Sequence, residues 1–231
     1  MTTILITGAN KGLGRETARR LIDQGHTVYL GARDAERGRR AADELGGLPL
    51  LIDVTDDESV AAAADEIKRQ VGHLDVLINN AGISGSRKPV ADTTAADLLA
   101  VYDTNVFGIV RVLHAFLPLL QLSAAPVVVN VSSGMGSMAI TLDPERFEST
   151  LIGLAYPSSK SAVNMLTSQY AKAFPAIRIN AVDPGYTATD LNGHSGPQTV
   201  EQGTDAIVRM ANLTPDGPTG SFVDAHGTVP W

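Results

Sequence analysis

Short, continuously apolar runs recur along this chain, each followed by a stretch with helical spacing, and that alternation limits the fold more than any other feature. Ile4-Leu5-Ile6, Val76-Leu77-Ile78 and Val127-Val128-Val129 offer water neither face. Strands of this kind must be covered on both sides, as those of a parallel sheet are. Strands are predicted at Thr3 to Thr7, Thr27 to Leu30, Pro49 to Asp53, Leu74 to Asn79, Pro126 to Ser132 and Arg178 to Val182. Helices are predicted near 13–24, 34–45, 57–71, 94–120, 155–173 and 199–212. The β-α-β-α order implies an α/β chain with a doubly wound parallel sheet of about seven strands and helices on both faces. One domain over residues 1–231 suffices for it.

Two stretches break the rhythm, an insertion at about 134–154 and a Gly-, Pro-, Thr- and Asn-rich loop at about 184–198. Both leave carboxyl ends of strands, where open α/β sheets bind ligands. Within the first, Asp143-Pro144-Glu145-Arg146-Phe147 predicts a short extra helix, with Pro just inside a candidate N-cap. The first strand runs into Thr7-Gly8-Ala9-Asn10-Lys11-Gly12-Leu13-Gly14. Glycines between a strand and a helix let backbone N–H groups approach a pyrophosphate at the helix N-terminus. A Walker loop is excluded, because its lysine follows the glycine whereas Lys11 precedes Gly12.

Composition excludes other classes. A formal net charge of −7 argues against nucleic acid, which requires a cationic face. The absence of cysteine removes disulfides, thiolate metal sites and a cysteine nucleophile, and the five histidines show no metal-ligand spacing. The first strand begins almost at the initiator, and no apolar run is expected to approach a membrane span. The expectation is a cytoplasmic protein with no membrane, metal or nucleic-acid partner.

Tyr156 and Lys160 stand four residues apart, a spacing that puts both side chains on one face of a helix. There an ammonium would draw the phenol pKa down from its ordinary value of about 10. Taken in order, the glycine turn, Asp53, Asn79-Asn80-Ala81-Gly82, Asn105, Ser133, Tyr156-x-x-x-Lys160 and Pro184-Gly185 form a set. The set resembles the short-chain dehydrogenase/reductase family, and in particular its carbonyl-reductase-like members.

The resemblance implies a Rossmann domain and an oxidoreductase that reduces a ketone, aldehyde or quinone by hydride transfer. It makes Tyr156 the proton donor and has Lys160 tune it and hold the nicotinamide ribose. Ser133 would bind the substrate oxygen, and Asn105 would support a water that passes protons to the lysine. Cofactor contacts are implied for Gly8, Asn10, Lys11, Gly12, Leu13, Gly14, Asp53, Val54, Asn79, Ala81 and Gly82, for Tyr156 and Lys160 themselves, and for Pro184, Gly185, Thr187 and Thr189. Ser133 and Tyr156 are 23 positions apart, about ten more than in compact members; the insertion and the chain end both resemble carbonyl reductases.

Where an NAD enzyme carries an acid after its second strand, this chain reads Gly31-Ala32-Arg33. Arg33 and Lys11, with Arg37 as a further ligand implied by the resemblance, suit a 2′-phosphate. NADPH is therefore expected over NADH, with Asp34 the residue that argues for NADH. Met135, Met138, Ile140, Tyr186 and Leu191 are the expected pocket walls, and the assembly is a monomer or a small homo-oligomer. Two other readings stand beside this one: a reductase of carrier-bound ketoacyl groups, and an NADPH-sensing regulator without turnover.

Overall fold

The computed structural model describes residues 2–86 and 88–231. Seven parallel strands form one sheet, ordered β3-β2-β1-β4-β5-β6-β7. They are β1 (Thr3–Thr7), β2 (Thr27–Ala32), β3 (Leu48–Leu51), β4 (Val76–Asn79), β5 (Val127–Val131), β6 (Arg178–Val182) and β7 (Phe222–Val223). The helices are α1 (Gly12–Asp23), α2 (Ala35–Leu45), α3 (Asp57–Gln70), α4 (Ala95–Tyr102), α5 (Gly108–Leu120), α6 (Met138–Thr141), α7 (Ala155–Ala173) and α8 (Val200–Ala211).

The continuous apolar runs do what their composition requires. Tyr29, Leu5, Leu77, Val128 and Ile179 are aligned across five neighbouring strands and pack on one face with α3, α5 and α7. Their sequence neighbours Ile4, Ile6, Val76, Ile78, Val127 and Val129 point the other way and pack with α1, α2 and α8. Period-two alternation thus divides one apolar run between two cores. Strand order reverses between β1 and β4, so the crevice beyond Thr7 and Asn79 is the topological switch point of the sheet.

Several boundaries differ from the sequence reading. Edge strand β3 stops before Asp53, because the Asp53 Oδ1 accepts both the Thr55 N–H and its hydroxyl in a turn. The helix expected at 94–120 is interrupted by a π-helical segment, Asp103–Phe107. It also corrects the membrane expectation: Ala95–Leu120 is long and apolar enough to span one, with a mean hydropathy of 1.2. Half of that window is buried in the protein, and the apolar face of α5 that accounts for it lies on the sheet.

The extra helix is not at Asp143. The Asp143 carboxylate closes a turn by accepting the Glu145 N–H, with one-turn helix α6 before it and a 3-10 turn, Phe147–Thr150, after it. The insertion is fastened to the chain end through Ser137, whose hydroxyl donates to the Pro230 carbonyl at 2.7 Å. A cavity of about 190 Å³ separates the two, lined in part by Asp143, Arg146 and Asp224.

Candidate active site

The glycine turn is held in place by the end of β4. Asn80 donates its side-chain amide to the Thr7 and Gly8 carbonyls, while the Thr7 hydroxyl oxygen accepts the N–H groups of Asn80 and Ala81. Gly8 and Gly12 have φ of +66° and +55°, a region that favours glycine. A Cβ on Gly14 would lie 2.5 Å from the Asn80 amide nitrogen and 2.6 Å from the Gly8 carbonyl oxygen. Lys11 at the N-cap of α1 offers no side-chain hydrogen bond, and no acid stands in the first turn. By contrast, Asp56 caps α3 through the N–H groups of Glu58 and Ser59. The first-turn amides of α1 therefore lack a side-chain partner, which fits a pyrophosphate.

The residues expected around the adenosine divide. Arg33 is exposed, forms no ion pair among the described residues, and is near enough to Asp53 to act on it. Burial would raise the Asp53 carboxyl, but the Thr55 hydrogen bonds together with Arg33 and Arg111 outweigh it and hold the group below its usual range. Asp34 is occupied: it caps α2 by accepting the Arg37 N–H at 2.9 Å and pairs with the Arg37 guanidinium at 3.3 Å. The Val54 side chain lies in the core, and Lys11 pairs with Asp190 at 2.8 Å. The Thr189 side chain lies 3.8 Å from where a Cβ on Gly12 would be, so the loop after β6 lies over the glycine turn. The Thr187 hydroxyl is turned inward, donating to the Pro184 and Gly185 carbonyls.

Farther along the crevice the reacting groups converge. Ser132 and Ser133, consecutive on an extended backbone, face opposite ways. Ser132 is buried and donates to Asn164 Oδ1 at 2.6 Å, while Ser133 caps a 3-10 turn by accepting the Met135 N–H and is the hydroxyl near enough to Tyr156 to act on its phenol. Tyr156 is the second residue of α7, in the first turn, where Pro157 is tolerated because first-turn N–H groups have no helical acceptor. One turn on, Lys160 Nζ lies 5.5 Å from the Tyr156 ring centre and donates to the Val131 carbonyl at 2.8 Å. Asn105, in the π-helical segment, bridges to the same place: its side chain exchanges hydrogen bonds with Ile83 N and O and donates to the Ser159 hydroxyl. Asn79 donates to Asn130, which donates to Thr167, tying β4 and β5 to α7.

The electrostatics correct one expectation. Desolvation pushes the Tyr156 phenol up to about 12, with the Ser133 hydroxyl opposing and Asp183 reinforcing the rise. The same desolvation lowers Lys160 to about 8, against the pull of Asp183. In the ligand-free protein, burial outweighs the ammonium, whose nitrogen is turned toward Val131. The Tyr156 phenol thus keeps its proton at neutral pH.

Of the expected pocket walls, Met138 is well exposed, and Tyr186 and Leu191 lie partly open. Ile140 packs in a small core with Ala181, Phe222 and Val229 and borders the cavity beside the insertion. Phe147, which the sequence reading placed only in the extra helix, stacks on Tyr186 at 5.4 Å and joins the insertion to the loop after β6. Gly136 was overlooked. A Cβ there would stand 2.6 Å from the Lys160 carbonyl carbon and 2.8 Å from its Cβ, so glycine permits the Ser133 turn to rest directly on α7. Gly136→Ala should cost roughly 1–3 kcal/mol of stability by overpacking. It should also lower kcat about tenfold or more through misplacement of Ser133; a variant melting and turning over like the parent would refute that close contact.

A family model for short chain dehydrogenases matches residues 2–199. The chain belongs to the short-chain dehydrogenase family. A short-chain dehydrogenase of Penicillium roqueforti, anuI, is 38% identical over 240 residues, covering 98% of this chain and 95% of that protein. Among solved structures, salutaridine reductase from Papaver somniferum superposes with a TM-score of 0.85 at 30% identity, covering 97% of this chain and 99% of its own. An NADPH-bound carbonyl reductase from chicken fatty liver reaches a TM-score of 0.88 at 26% identity, covering 100% and 99%. This dehydrogenase is therefore an oxidoreductase of the nicotinamide-dependent kind.

Proposed function

We propose that this short-chain dehydrogenase uses NADPH to reduce a small or medium ketone, aldehyde or quinone to the alcohol. The observation that carries the reading is the convergence of Ser133, Tyr156 and Lys160 beside an uncapped glycine-rich helix start. The cofactor, when bound, supplies the hydride that forms the new C–H bond. The protein's part is to bind the carbonyl oxygen and protonate it. Ser133 donates a hydrogen bond to that oxygen, and Tyr156 gives up its phenolic proton as the C=O π bond breaks and charge builds on oxygen. Tyr156 is left as the phenolate, which the Lys160 ammonium stabilises until solvent returns the proton.

The preference for NADPH rests on Arg33. It is exposed at the end of β2 with no carboxylate paired to it among the described residues, while Asp34, the one acid able to bind a ribose there, is committed to the α2 N-cap. The carbonyl reductase from chicken fatty liver, with its bound NADPH, supports the same choice by similarity. Arg33→Ala should raise KM for NADPH roughly tenfold, the loss of one charge-assisted hydrogen bond. KM for NADH should stay put; an unchanged preference would locate the phosphate elsewhere. The reading as a whole is tested by NADPH consumption across panels of ketones, aldehydes and quinones, and silence on every panel would remove it.

A further inference from the structure

The motif set does not include Asp183, yet it is a buried acid, 7% exposed, immediately before Pro184-Gly185. Its carboxylate joins two loops. Oδ1 accepts the Gly185 N–H at 3.0 Å, and the rest of the carboxylate lies against Gly134, whose N–H favours its charged form. Oδ2 comes within 2.9 Å of where a Cβ on Gly134 would be. Gly134 follows Ser133, and Gly185 opens the loop that lies over the glycine turn. The backbone fixes the carboxylate from behind, since Asp183 N donates to Val223 of β7 and Ser132 N to Val182. A single side chain therefore sets the distance between the turn carrying the substrate-binding hydroxyl and the loop on the cofactor side.

We propose that Asp183 is a positioning residue for the reduction: its carboxylate ties the Ser133-Gly134 turn to the Pro184-Gly185 turn and places a negative charge beside Tyr156 and Lys160. The proposal deepens the carbonyl-reductase reading and rests on it for its kinetic consequences, but the charge at Lys160 exists without any cofactor. Its ionisable neighbours among the described residues come from the insertion, from the segment after β7 and from α7. Glu148 on the insertion, whose Oε1 lies 3.1 Å from the same Gly134 position, and Asp224 after β7 repel the Asp183 charge. Arg146 faces it from the insertion while paired to Glu148 at 3.2 Å. Tyr156 and Lys160 face it from α7. Desolvation is the largest influence on Asp183 and raises its carboxyl, with the two glycine N–H groups opposing. Glu148 and Asp224 reinforce the rise.

A buried charge near the ammonium favours the protonated lysine, so neutralising it must move the Lys160 titration to lower pH. The variants are Asp183→Asn and Asp183→Ser, each keeping an oxygen that can accept the Gly185 N–H. In ligand-free protein carrying carbon-13 lysine, the side-chain resonance of Lys160, assigned by its loss in Lys160→Met, should titrate at lower pH in both variants than in the parent. With NADPH and a reducible ketone, kcat should fall roughly tenfold or more while KM for NADPH changes little. The basic limb of the kcat profile should move in the same direction as the resonance. An unmoved Lys160 resonance in a folded variant overturns the electrostatic role, and unaltered kcat beside a shifted resonance overturns the positioning role. If no ketone were reduced by the parent, the resonance would still decide the first point, so failure of the functional reading stays distinct. If Asp183→Asn fails to fold, the smaller Asp183→Ser carries the same two measurements.

Discussion

Tyr156→Phe should lower kcat at least about a hundredfold, close to 2.7 kcal/mol of barrier at 25 °C. The reason lies in what remains when one oxygen is removed. Ser133 can still donate a hydrogen bond to the substrate oxygen, but it is a poor proton source, so the alkoxide forms without a partner. The Lys160 ammonium cannot substitute, because its nitrogen is directed at the Val131 carbonyl, 2.8 Å away. Cofactor affinity should be nearly unchanged, since the phenylalanine fills the same space; quenching of protein fluorescence by NADPH would measure it. Equal turnover in parent and variant would mean that the phenol is not the acid. The pH profile adds a second, independent check. Tyr156 keeps its proton up to about 12, whereas Lys160 loses charge as pH rises through about 8. Activity in the reducing direction should therefore decline above about pH 8 on account of the lysine.

The same groups show how far a sequence can be read. α7 was legible, expected near 155–173 and found at Ala155–Ala173, because Pro157 confines Tyr156 to the first turn and the apolar positions after it keep helical spacing. The sheet was legible because each buried strand has to be apolar on both faces. The π-helical segment at Asp103–Phe107 left no such trace: one added residue in a turn preserves the apolar stripes on either side, yet it rotates Asn105 until its side chain reaches Ile83 and Ser159. The two-residue strand β7 is too short to show a period. Burial was the other quantity beyond reach. The four-residue spacing correctly puts Lys160 and Tyr156 together, but only the packed protein reveals that desolvation exceeds the pull between them. Asp183 could have been found as an ionisable residue closing an otherwise apolar strand end, a place where an unpaired charge is costly and therefore informative.

Lys160→Met is expected to inactivate the enzyme and, unlike most active-site substitutions, to leave it no less stable. Only 5% of Lys160 is exposed, and desolvation holds its pKa near 8 against an ordinary 10.5. Keeping it charged at neutral pH thus costs the fold on the order of 3 kcal/mol. The sign follows from proton binding. With the folded value below the unfolded one, the unfolded chain holds the extra proton between about pH 8 and 10.5, so this cost is complete below pH 8 and is relieved as pH climbs. Methionine fills a similar volume without charge but leaves the Val131 carbonyl unpaired, which returns roughly 1–3 kcal/mol. The unfolding free energy from denaturant titration near pH 7 should therefore equal or exceed that of the parent by up to about 2 kcal/mol. The difference should shrink or reverse near pH 10, where the parent lysine is neutral. Turnover should fall by at least about a hundredfold, as the phenolate left on Tyr156 loses its counter-charge. A variant several kcal/mol less stable at neutral pH would show instead that the ammonium anchors α7 to β5 for the sake of the fold. The expected outcome makes the buried lysine a stability cost retained for chemistry, with the Val131 carbonyl and the nearby Asp183 charge limiting that cost rather than cancelling it.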